Sequence, residues 1–77
     1  MWYDLYRRCN RHGVAFTFRP SEYYFGGGKT DGEFEFIKGC HCRIVLVSLE
    51  LYTKEEVIDI LHKQLDEFLE EIREPHL

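Results

Sequence analysis

Two short stretches hold the residue types that chemistry most often uses, Cys9-x-x-His12 and Cys40-His41-Cys42. Zinc takes four Cys or His ligands in a tetrahedron, so Cys9, His12, Cys40 and Cys42 are the candidate ligands. Residues 9 and 12 share one face of a helix, and residues 40 and 42 share one face of a strand. The spacing differs from the paired C-x2-C pattern of zinc knuckles. The competing reading makes Cys9 and Cys42 small core hydrophobes, with His12 and His41 at element ends. That reading expects no metal and no other cofactor.

A catalytic thiol needs a lowered pKa and a positioned base. Cys40 precedes His41, but neighbours on a strand point to opposite faces, and only a turn lets them approach. The sequence offers no marked third group to orient the imidazole. Gly26-Gly27-Gly28-Lys29-Thr30 misses the G-x-x-x-x-G-K-[ST] phosphate frame, whose first glycine would fall at Tyr23. It also leads toward a strand rather than a helix, and reads as a flexible loop. The residues favour a protein that is not an enzyme.

Binding residues are easier to find. Asp66, Glu67, Glu70, Glu71 and Glu74 crowd one acidic helix face. Like charges at i,i+4 repel, so the cluster is either a solvated face or a docking surface for a basic partner. Tyr23, Tyr24 and Phe25 precede the triple glycine. They either pack down to enlarge the core or stay exposed for a partner.

The elements that position these residues follow from periodicity. Trp2, Leu5, Tyr6 and Cys9 form one helical stripe, Arg7, Arg8 and Arg11 suit the C-terminal end, and Gly13 suits C′. This predicts a helix over 2–12. Val14, Phe16 and Phe18 alternate with Ala15, Thr17 and Arg19, predicting a strand over 14–19 that Pro20 ends. Residues 20–32 read as loop, with room for a short strand at 22–25. Phe34 and Phe36 alternate with Glu33 and Glu35, predicting a strand over 33–38. Lys38-Gly39-Cys40-His41 reads as a tight turn. The run Ile44-Val45-Leu46-Val47 predicts a strand over 42–51, buried on both faces or central. Thr53-Lys54-Glu55-Glu56 has the capping-box form, with Tyr52 and Val57 placed as a staple. The helix it opens runs over 54–73, where Pro75 restricts its predecessor. Val57, Ile58, Leu61, Leu65, Phe68, Leu69 and Ile72 supply its apolar stripe.

The order α-β-β-β-α predicts a single α+β domain, with an antiparallel sheet of three to four strands and both helices on one face. A chain of 77 residues holds one domain, and 44% hydrophobic with 16% aromatic content supplies its core. Surplus apolar surface leaves a homodimer open. Residues 1–43 carry seven Lys or Arg and five Asp or Glu, whereas residues 44–77 carry three and nine. A duplex-binding domain shows a dominant basic face, so this distribution argues against nucleic acid as a partner and for another protein with a basic surface. Three cysteines, too close at 40 and 42 to bridge along a strand, read as reduced thiols. No secretory pattern opens the sequence, and no apolar run reaches the ~20 residues of a membrane helix. A cytoplasmic protein without membrane partners is expected.

The element order resembles the double-stranded-RNA-binding domain and the HicA toxin family, across residues 2–73. The RNA-binding family places lysines at the start of its second helix, where this chain reads Lys54-Glu55-Glu56. HicA toxins carry Gly-Ser-His with a catalytic His on a strand, and Gly39-Cys40-His41 matches two of the three. That resemblance implies an RNA-binding or ribonuclease alternative using His41. The chain is also similar in style to small bacteriophage proteins, including inhibitors of host enzymes such as anti-CRISPR proteins. The leading expectation is a protein-binding module of that kind, docking through the acidic helix and the aromatic loop. A homodimeric structural or assembly protein is the third.

Overall fold

A computed structural model describes residues 2–20 and 31–72. The elements run α1 (Trp2–Arg11), β1 (Ala15–Pro20), β2 (Asp31–Lys38), β3 (His41–Ser48) and α2 (Lys54–Ile72). The predicted α+β order holds, and the described sheet has three antiparallel strands in the order β1-β2-β3. The short strand expected at 22–25 lies outside the described residues.

Local chemistry sets each boundary. Gly13 has φ +70°, and its N–H donates to the Asn10 carbonyl at 3.0 Å while Val14 N–H reaches the Cys9 carbonyl at 2.8 Å. This pair of bonds is the Schellman closure, with buried Cys9 and Val14 as its apolar contact. A two-residue turn, Gly39-Cys40, joins β2 to β3 between the paired residues Lys38 and His41. Gly39 takes φ +62° and Cys40 does not follow it to positive φ, as a type II′ hairpin requires. At α2, Glu56 N–H donates to Thr53 Oγ1 at 3.1 Å and Thr53 N–H donates to Glu56 Oε1 at 2.8 Å. The predicted capping box is therefore complete, and Val57 N–H continues it to the Thr53 carbonyl at 2.9 Å.

Both helices cover one face of the sheet. Leu5 and Cys9 of α1 meet Phe34 and Phe36 of β2, Val47 of β3, and Val57, Leu61, Leu65 and Phe68 of α2 in one buried cluster. Ring contacts run through it: Phe36 stacks with Phe68 at 6.0 Å, and Phe34 with Phe18 at 4.8 Å and Trp2 at 5.9 Å. Gly32 lies close against these rings, because a Cβ there would meet the Phe34 ring at 2.8 Å. Phe18 shares that face but stays 47% exposed near the end of β1.

Three expectations need correction. The third strand does not reach residue 51. Ser48 Oγ accepts the N–H groups of Glu50 and Leu51, each at 3.3 Å, and this serine turn ends the ladder before Leu49. Among the described strands β3 is not central, and no described element covers its outward side. It is an edge strand, and its outward residues Ile44 and Leu46 are 55% and 63% exposed. Cys42, expected in the core, alternates onto that outward face and is exposed, whereas Cys9 is buried as expected.

Candidate functional site

The register places the outward residues of the sheet in rows: Arg19, Glu33 and Leu46; Thr17, Glu35 and Ile44; Ala15, Ile37 and Cys42. No described element packs on this face. The polar members pair with one another. Arg19 Nη2 donates to Glu33 Oε2 at 3.2 Å, and Cys42 Sγ donates to Glu35 Oε2 at 3.0 Å. Only the protonated thiol can make that bond, so Glu35 raises the Cys42 pKa from 9.0, and its negative charge adds to the effect. Ile44 and Leu46 remain as an apolar pair toward the β3 side of the face, with Ile37 half-buried beside them.

The free edge of β3 borders this pair. In a two-residue hairpin the flanking residues exchange both backbone bonds, and bonded and non-bonded pairs then alternate. Counting from Lys38 and His41, residues 41, 43, 45 and 47 bond to β2. Cys42, Ile44, Leu46 and Ser48 turn their N–H and C=O groups to the open edge. Among the described residues no backbone bond satisfies those groups.

Arg43, on the helix side of the same strand, ties α2 to this edge. Its guanidinium donates to Gln64 Oε1 at 3.1 Å, Glu67 Oε1 at 3.4 Å and Glu71 Oε1 at 2.6 Å. Across the other flank of α2, Arg8 pairs with Asp66 and donates to the His62 carbonyl at 3.4 Å. The acidic cluster is therefore not simply self-repelling: Asp66, Glu67 and Glu71 have internal counter-charges, and Glu70 alone of the described four has no ion pair among the described residues. Two carboxylates share one guanidinium beside the β3 edge, so that shoulder keeps a net negative charge. Glu74 lies outside the described residues, as do Tyr23, Tyr24 and Phe25.

The candidate metal ligands do not converge. Cys9 is in the core, Cys42 is on the outward sheet face, and Cys40 occupies the hairpin turn. Among the described residues no group of three or more His, Cys, Asp or Glu is arranged to hold a metal. Burial dominates the Cys9 environment and pushes its thiol up to about 11, against a smaller opposing pull from Arg8. His12, Lys38, Cys40 and His41 do share a cleft of about 750 Å³, with Leu69 and Ile72 on its α2 wall. Lys38 Nζ is held there by the His12 carbonyl at 2.6 Å. Among the described residues neither Cys40 nor His41 has a hydrogen-bond partner that would activate or orient it.

Sequence reasoning named the acidic residues but missed their counter-charges Arg8 and Arg43, and missed Ile44 and Leu46 as an exposed pair on the outward sheet face. A signal was present, because three strands with both helices on one side must leave one face and two edges open. No family model, curated protein or solved structure matches the chain. The class that the fold defines is a two-layer α+β domain, with one sheet face uncovered among the described residues. No described helix is long and apolar enough to cross a membrane.

Proposed function

We propose that the domain is a protein-binding module, and that its binding surface is the uncovered sheet face with the free β3 edge and the acidic shoulder of α2. The observation that carries this reading is the exposure of Ile44 and Leu46, at 55% and 63%, on a strand whose backbone edge is also unpaired among the described residues. Scattered apolar residues are ordinary on a surface, but a clustered pair beside open backbone groups is the chemistry of an interface. A partner with a basic surface suits the chain's formal charge of −4. Such a module acts by occupying another protein's surface, as an accessory protein or inhibitor of the bacteriophage type does.

The experiment is capture by the tagged chain from a lysate, with and without nuclease, read by mass spectrometry beside Leu46→Glu. One protein held by the wild type, indifferent to nuclease and lost with Leu46→Glu supports the module. Capture that Leu46→Glu leaves intact removes the sheet face from the reading, and capture that disappears with nuclease replaces it with nucleic-acid binding. The ribonuclease alternative rests on His41, His12 and Lys38 sharing one cleft. RNA cleavage that persists in His41→Ala ends that alternative.

A further inference from the structure

The edge of β3 has three properties that specify an occupant. Among the described residues its backbone is open at four alternate positions, Cys42, Ile44, Leu46 and Ser48. Of the devices that block strand addition it carries one, the inward-pointing Arg43, whose charge Glu67 and Glu71 already engage; His41–Ser48 contains no Pro, no Lys and no bulge in its register with β2. The opposite edge, β1, ends in Pro20. The two sides of the β3 edge also differ in chemistry. Toward the open face lie Ile44 and Leu46. Toward the helices, Glu67 and Glu71 of α2 converge on Arg43 with one more negative charge than positive.

We infer that β3 accepts an extended basic segment of a partner protein as a fourth strand. This rests on the protein-binding reading and names the partner's chemistry. Main-chain bonds to the four open residues would supply register, and alternating side chains would supply selectivity. On the open face the incoming strand presents apolar residues to Ile44 and Leu46. On the helix side it presents Lys or Arg to the carboxylates that Arg43 only half neutralises. A second copy of this chain fits less well. Pairing β3 with itself about a two-fold axis would set the Glu67 and Glu71 flanks of two acidic helices side by side.

The test uses the full chain, isotopically labelled, and a ten-residue peptide alternating Val and Lys, with its Val/Glu counterpart as control. Amide-resolved NMR and hydrogen exchange follow the complex. The expected result is saturable binding of the Val/Lys peptide, new exchange protection at Cys42, Ile44 and Leu46, and at least roughly tenfold weaker binding of the Val/Glu peptide. Ile44→Pro removes an edge donor without removing a bond to β2, and an edge strand tolerates it. With its folded spectrum retained, it should weaken binding by roughly tenfold, the value of one hydrogen bond. Glu71→Gln should weaken the Val/Lys peptide several-fold and, by relieving repulsion, narrow its advantage over the Val/Glu peptide. Binding without protection at these amides, or binding that folded Ile44→Pro retains in full, overturns strand addition. So does protection that appears in the free chain with concentration, which would identify a second copy as the occupant. If Leu46→Glu still abolishes capture of a protein partner while the peptide fails, the module reading stands and only the strand mode falls.

Discussion

Cys9 shows how burial turns a single atom into a pH-dependent stability term. Its thiol lies in the core, and desolvation lifts its pKa from 9.0 to about 11. Between those values the unfolded chain has lost the proton and the folded chain has kept it. The stabilising contribution is therefore intact below pH 9 and is lost as the pH rises through 11. At about 1.4 kcal/mol per pH unit the full effect is roughly 3 kcal/mol. Tyrosines and lysines titrate in the same range, so the comparison is with Cys9→Ala. Urea unfolding from pH 8 to 11 should show the wild type losing the larger share of its stability, with the two curves converging as the pH rises. Parallel curves would mean that Cys9 ionises as freely in the fold as outside it. Cys42 also has a raised pKa, but its cause is the exposed hydrogen bond to Glu35, and no such stability window follows from it.

At the scale of elements, Arg43 joins the edge strand to the last turns of α2. Its side chain is 23% exposed and contacts Glu67 and Glu71, which are one helical turn apart. Removing it loses two partly exposed ion pairs and restores repulsion between the carboxylates. Arg43→Ala should cost about 1 kcal/mol at low salt. The loss should shrink at 1 M salt, where screening acts within about 3 Å. Thermal melts of both proteins at the two ionic strengths check it; a loss independent of salt would assign the role of Arg43 to packing of its stem. The same residue marks where the sequence stopped being readable. The Schellman end of α1, the capping box of Thr53 and Glu56, and the alternation of Phe34 and Phe36 were legible because each is set within a few residues. Arg43 is separated from Glu67 by 24 positions and Arg8 from Asp66 by 58, so no local pattern announces either pair. The position of β3 was misread for a related reason. Ile44-Val45-Leu46-Val47 looks the same in a central strand and in an edge strand, and only the sheet order distinguishes them.

For the whole molecule the question is what balances the open sheet face. Burial of Ile44, Leu46 and their neighbours favours association of any two copies, since apolar area is stabilised when it leaves water. The formal charge of −4, with nine of the fourteen acids in residues 44–77, opposes it. Charge repulsion between separate copies acts over the Debye length, about 30 Å at 0.01 M salt and 3 Å at 1 M. Apolar attraction survives that change, so the balance between the two should move with ionic strength. Light scattering on the purified chain is expected to report a monomer at 0.01 M salt and increasing self-association toward 1 M. Leu46→Glu adds charge and removes apolar area at once, and should remain monomeric throughout. A dimer already formed at 0.01 M and weakened by salt would reverse the argument. Association would then be driven by ion pairs between copies, and the acidic shoulder of α2 would be meeting basic residues of this chain, such as Arg7 and Arg11 on α1, rather than a basic partner.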